Sequence, residues 1–437
     1  MRVRILTVLC LVLSTVMRAQ PPVQRPVFTS KADSVAYAIL DARLNEIFQK
    51  SIGRPNVVDS SLLARRRFLD THPFIWRYSF RQDQSFTPYQ SLKAIANMDS
   101  IIKISVLGKG KRKLPDSLYL YKNLVELELI GFRLSRLPKK LLKQPQFRRI
   151  IICSNFPEKR LRLPKNSTIT SLTIRGDENG KLPTSYKNFR KLEVLTLSRN
   201  NIGELVDAQL PSTLRRIDLS FNSIKTVPGW IGRYKDLMSL NFNNNRVERV
   251  EPGIEQITGL QELLFYRNEL GEIPPMLYTM SSLKVIDLYY NHIRKLSPEI
   301  SNWKNLEILY LANNDIFSIP GEIGQLTKLK ELYLHHNKIS NLPQSVGNLT
   351  DLGILRINNN NLIEWPVGLS KLKQLGNFDC SSNLFEEIPI AELDFRKMKI
   401  LSLGGNPWNT EARKNIDIWV KALREADVVV HIDYRKP

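Results

Sequence analysis

Residues 283–305 read LKVIDLYYNHIRKLSPEISNWKN, residues 306–328 LEILYLANNDIFSIPGEIGQLTK and residues 329–351 LKELYLHHNKISNLPQSVGNLTD, three segments that superpose without a gap. Leu283, Ile286, Leu288, Asn291, Ile293 and Leu296 return as Leu306, Leu309, Leu311, Asn314, Ile316 and Ile319. They return again as Leu329, Leu332, Leu334, Asn337, Ile339 and Leu342. The shared pattern is LxxLxLxxNxLxxLP. Its LxL core alternates apolar and polar, which predicts a short strand with one buried face. The stretch after the asparagine, such as Pro320-Gly321-Glu322-Ile323-Gly324-Gln325-Leu326, opens on proline and spaces Ile and Leu three apart, which suits one helical or 3-10 turn.

Worked outward, the first apolar position recurs at Ile101, Leu124, Phe147, Ile169, Leu192, Leu214 and Leu237. It continues at Leu260, Leu283, Leu306, Leu329, Leu352, Leu375 and Met398, always 22 or 23 residues on. About fourteen units therefore run from Ile101 to Trp408. A fixed period of this length means a solenoid, in which each unit buries its apolar face against its neighbours. The pattern resembles the leucine-rich-repeat family, in its class of about 23 residues with LP after the asparagine turn, over roughly 70% of the chain. The resemblance implies an α/β repeat fold: a curved horseshoe with a parallel concave sheet and convex turns or 3-10 helices. It also implies a macromolecular binding module, here of secreted bacterial type.

Asparagine at the ninth position, from Asn200 through Asn222, Asn245, Asn268, Asn291, Asn314, Asn337, Asn360 and Asn383 to Asn406, is expected to be structural. Its amide would satisfy backbone groups of its own and adjacent coils, each worth about 1–3 kcal/mol if left buried and unpaired. The early units depart from the pattern, with Lys109, Phe132 and Asp177 at that position. The third is distorted as well, since Arg160 replaces an apolar residue and its LP arrives late, at Leu163-Pro164.

A solenoid needs its ends covered. Four segments follow: a secretory signal over residues 1–19, a helical N-terminal capping region over 20–98, repeats over 99–408, and a C-terminal capping helix and strand over 409–437. The signal has Arg2 and Arg4 ahead of the apolar run Ile5 to Val16, with a cut after Ala19. Ala36, Leu40, Leu44, Ile47 and Phe48 share one helical face. At the other end Ile416, Trp419, Val420 and Leu423 form an apolar stripe, with Val428 to Ile432 as a final strand. The mature chain keeps two cysteines, Cys153 and Cys380, too far apart along the solenoid to pair. The signal points to a secreted, periplasmic or cell-surface location; without it the alternative is a cytoplasmic scaffold.

Little of the chain remains for catalysis. GxxxxGK[ST], HExxH, GxSxG and CxxC are absent, and no cofactor is implied. The chain is read as a non-enzyme with no metal site. His335 and His336, with His292 two repeats away, make poor zinc ligands, because adjacent strand residues point to opposite faces.

Two surfaces are candidates for partners. On the concave side, repeats eight to twelve contribute Tyr266, Arg267, Tyr289, Tyr290, Tyr310, Tyr333, His335, His336 and Arg356. Tyr and Arg are enriched at binding hot spots, although stacking between strands would explain the same residues. The formal charge of +22 is uneven, with about +20 over residues 20–216 and about −1 over 217–437. The basic half includes Lys109, Lys111, Arg112, Lys113, Arg133, Arg136, Lys139, Lys140, Lys143, Arg148 and Arg149. It would attract an anionic glycan or lipopolysaccharide. Specific nucleic-acid binding is not expected, because aromatics are not interleaved with the charges. The leading expectation is a protein or peptide ligand on the concave face. The alternative is a surface-attached adhesive or structural protein held through the basic half.

Overall fold

The computed structural model describes the backbone at 87–88 and residues 101–434, apart from 155–159, 167, 177–182, 184, 208, 391–392 and 394–396. The expected signal and N-terminal helices lie outside the described residues, as do Asp177 and the terminal 435–437.

Each LxL segment forms a strand, and the strands hydrogen-bond in chain order into one parallel sheet. They are β1 (Lys103–Leu107), β2 (Glu126–Ile130), β3 (Arg149–Cys153), β4 (Ser171–Arg175), β5 (Val194–Thr196), β6 (Arg216–Asp218), β7 (Ser239–Asn241) and β8 (Glu262–Leu264). β9 (Val285–Asp287), β10 (Ile308–Tyr310), β11 (Glu331–Tyr333), β12 (Ile354–Arg356), β13 (Asn377–Asp379), β14 (Ile400–Ser402) and β15 (Val429–His431) follow. Register copies the sequence period: Ile286 pairs with Leu309, Leu309 with Leu332 and Leu332 with Leu355. The apolar positions of the repeat are buried in one continuous core running the length of the solenoid. Each Leu or Ile wholly removed from water there contributes about 1.5–3 kcal/mol.

The proline-initiated segments form 3-10 turns, Gly321–Gln325 and Gln344–Asn348 among them, on the side away from the sheet. They stack tightly: a Cβ added at Gly347 would lie 2.3 Å from the carbonyl oxygen of Gly368.

The asparagine ladder is present as expected. Asn314 donates to the carbonyls of Leu288 (2.9 Å) and Leu311 (3.0 Å), and its Oδ1 accepts from the Ile293 amide (3.0 Å). Asn291 and Asn337 repeat this one coil to either side. Where asparagine is missing, packing replaces it. The Phe132 ring is fully buried against Gly108, where a Cβ would meet it at 2.4 Å.

The chain closes as its apolar stripe predicts. Asn409 caps helix α1 (Thr410–Glu425) by accepting from the Ala412 amide at 2.8 Å. Ile416 and Val420 are buried, and Trp419 and Leu423 pack on the core. β15 pairs parallel with β14. Cys153 and Cys380 are free and buried. Among the described residues no helix is long and apolar enough to cross a membrane.

Candidate binding face

The concave side chains stand in columns, because equivalent positions of successive repeats are strand neighbours about 4.8 Å apart. The fifth position places Asp287, Tyr310, Tyr333, Arg356 and Asp379 in one row, each the Cα partner of the next. The rings of Tyr310 and Tyr333 stack at 4.8 Å with an interplanar angle of 25°.

The seventh position holds Tyr266, Tyr289, Ala312, His335 and Asn358. Ala312 is too small to fill its place, so Tyr289 reaches across a whole coil and its hydroxyl meets Nε2 of His335 at 3.3 Å. Tyr266 lies 5.6 Å from Tyr289, and His335 5.5 Å from it on the other side.

The eighth position has a property that the repeat pattern does not announce: its residues adopt left-handed backbone. Asn244, Arg267, Tyr290, Asn313, His336 and Asn359 all have φ between 52° and 56°. Such a conformation costs an ordinary L-residue roughly 1–2 kcal/mol. It is offset by bonding between coils, since it aims each amide at the next repeat: Tyr290 N–H donates to Ala312 and His336 N–H to Asn358. The turned backbone also carries these side chains out of the sheet toward its rim. There Arg267 lies over the ring of Tyr290 at 5.5 Å.

The nine expected residues therefore divide. Tyr333, His335 and Arg356 are buried, at 8%, 4% and 4% exposure, which corrects the expectation of solvent-facing side chains at those positions. Tyr266, Tyr289 and Tyr310 are half-buried, and Arg267, Tyr290 and His336 are exposed. The exposed three line a groove of about 720 Å³ along the rim, together with Asn244, Glu269, His292, Asn313 and Asp315. None of those five is expected from sequence to meet a partner, and His292 enters there only as a poor zinc ligand. Their signal was present in the columns, because the eighth and tenth positions are polar from one coil to the next.

Burial sets the charge state of this face. It pulls His335 down to about 3, with His336 and Arg356 adding to the effect, and it raises Tyr289. Both are neutral near pH 7, and their contact is one hydrogen bond between uncharged groups. Among the described residues Nδ1 of His335 has no hydrogen-bond partner. Burial also raises Asp379, against hydrogen bonds from Ser381 and the nearby charge of Arg356. His292 lies on the rim beside Glu269 at 3.4 Å. Among the described residues no three His, Cys, Asp or Glu side chains are placed to hold a metal ion.

The basic residues are spread around the coil. Lys109, Lys111, Arg112, Lys113, Arg133 and Arg136 follow strands and lie along the rim, all exposed. Lys139 and Lys140 sit in a short helix, Lys139–Leu142, with Lys143 as its C-cap, on the convex side. Arg148 is half-buried, bonded to the Pro145 carbonyl. Arg149 begins β3, where Glu126 stands between it (3.5 Å) and Lys103 (3.7 Å).

A family model for leucine-rich repeat regions matches residues 273–423. Together with the period, the sheet and the asparagine ladder, this makes the chain a leucine-rich-repeat protein. A leucine-rich-repeat protein of Leptospira interrogans has a similar structure, with a TM-score of 0.60 at 24% identity over 78% of this chain and 99% of that one. A chain of the octameric complex of Latrophilin 3, Unc5D and the leucine-rich-repeat protein FLRT2 scores 0.51 at 21% identity, covering 63% of this chain and 86% of that one. At such identities the likeness is one of fold. Human Leucine-rich repeats and immunoglobulin-like domains protein 3 is 34% identical over 92 residues, 20% of this chain; the match spans 8% of that protein's length.

Proposed function

We propose that the solenoid is a non-catalytic binding module for a protein or peptide, acting outside the cytoplasm and engaging its ligand on the concave side and rim of repeats eight to twelve. The observation that carries this reading is the grouping of Arg267, Tyr290 and His336 at an open groove, on a bed of packed rings. Exposed Tyr and Arg over a buried, pre-ordered layer offer large contact area at small entropic cost. The complex containing FLRT2 is a protein assembly built with a solenoid of this kind, and the apolar run at residues 5–16 supports export. The basic first half would act as a second surface, steering or holding the module on an anionic polymer.

The test is a selection for peptide and protein ligands with the full chain, followed by binding to Tyr290→Ala with Arg267→Ala and, separately, to Tyr333→Ala. Affinity that survives high salt, falls in the rim variant and changes little with Tyr333 supports the proposal. Ligands held equally well by the rim variant would sink it.

A further inference from the structure

The cations of the first four repeats are arranged in a way that their number alone does not convey. Arg136 and Arg162 are Cα partners in an isolated parallel bridge, joined by the Leu137 amide to the Arg162 carbonyl and the Arg162 amide to Ser135. Both side chains are exposed. Strand spacing holds their attachment points about 4.8 Å apart, where like charges repel. Arg133 joins them on the same rim, its amide bonded to the Lys111 carbonyl. None of these three arginines makes an ion pair among the described residues, where Asp116 is the one exposed carboxylate between 109 and 191. Among the described residues the repulsion is left without a compensating carboxylate.

We propose that the rim and back of the first four repeats bind an anionic polysaccharide, with Arg133, Arg136 and Arg162 at the centre of the contact. A sulfate or carboxylate between two such guanidinium groups replaces repulsion by charge-assisted, bidentate hydrogen bonds. The cations continue past the rim to Lys139 and Lys143 on the back, so they share no plane. That distribution suits a flexible chain better than a membrane. Stacking on nucleic-acid bases has little platform among the described residues, because Tyr121, Phe132, Phe147, Tyr186 and Phe189 are buried and the half-buried ring of Tyr119 already lies under Lys140 at 4.9 Å. The site is separate from the tyrosine groove and stands whether or not a protein binds there.

The experiment titrates a fluorescent heparin-type oligosaccharide with the full chain across a salt series. Oligothymidine of equal charge and anionic phosphatidylglycerol vesicles serve as competing probes. The variants are Arg136→Gln with Arg162→Gln and, as a control from the second half, Lys225→Gln with Lys338→Gln. The arginine pair is expected to weaken binding about tenfold at low salt and to reduce the salt slope by roughly two, one per cation removed. The lysine control should stay within about twofold. All four side chains are exposed, so neither variant should melt below the wild type by more than a degree or two, and the arginine pair, relieved of its repulsion, should melt at or slightly above it, which separates loss of binding from loss of folding. The proposal is overturned if the wild type ignores the oligosaccharide, if the arginine variant binds like the wild type, if the control loses as much, or if oligothymidine or vesicles bind more tightly.

Discussion

In the repeats that begin at Leu214 through Leu329, charged residues one period apart tend to be opposite in sign. Lys225 faces Glu248 at 3.3 Å, Lys338 faces Asp315 at 2.6 Å and Lys330 faces Glu307 at 2.6 Å. In the repeats from Ile101 to Ile169 the strands keep that habit, as Lys103, Glu126 and Arg149 show, but the rim does not, setting Arg136 beside Arg162. The bonding between coils differs as well. Asparagine amides stitch the second half together, whereas a phenylalanine ring on a glycine does so near Phe132. In a solenoid the side chain 23 residues away is the nearest neighbour. A column of equivalent positions is therefore the unit on which charge and packing are decided, and the same fold carries a self-neutralised half and a half open to counter-charge.

The largest effect that would break this comparison is at the ladder. Asn314→Ala removes four hydrogen bonds and leaves buried backbone groups of two adjacent coils unpaired. A loss of about 3 kcal/mol or more is expected in urea unfolding, and a loss under 1 kcal/mol would mean that the ladder is not what joins these coils. The glycine contacts come next. Gly347→Ala drives a Cβ into backbone that cannot yield and should cost about 2–3 kcal/mol, while Gly108→Ala meets a ring that can turn and should cost about 1–2. Equal losses would remove the contrast between the halves.

Acid should act on the concave face. His335 has a folded-state value of about 3, below the ordinary 6.5, so its neutral, buried form favours folding above pH 6.5. That stability is lost as pH falls from 6.5 toward 3, by about 1.4 kcal/mol at one unit below the ordinary value. Asp379, which is raised, works in the opposite sense. The melting temperature of His335→Phe should therefore decline less than that of the wild type between about pH 7 and 5.5, and parallel curves would refute the assignment. The smallest expected change is Lys338→Ala, within about 0.5 kcal/mol, because its ion pair with Asp315 is solvent-exposed.

The period placed the strands, the 3-10 turns and the asparagine ladder, because each follows from residues within one coil or from the coil's repetition, and the apolar stripe from Ile416 to Leu423 placed the C-terminal helix. Depth on the concave face was not legible in the same way. Alternation assigns Tyr333, His335 and Arg356 to a side of the sheet, but whether a side chain on that side is open to water depends on the sizes of its neighbours one and two coils away. Ala312 is the clearest instance, since its small side chain lets Tyr289 and His335 meet. The left-handed backbone of Tyr290 and Arg267 was equally hidden, for Tyr and Arg rarely adopt it and the force that imposes it lies in the adjoining coil.

The register of the sheet has a mechanical corollary. Main-chain pairing within the sheet joins each strand to the next along the chain, so no bond of the sheet spans the length of the stack. Pulled from its ends, such a stack would pay out coil by coil. Each 23-residue turn would release a tether of roughly 78 Å at about 3.4 Å per residue. The trace in a single-molecule stretching experiment would be a sawtooth of near-equal teeth, and the spacing of the teeth would read the repeat length directly from the force.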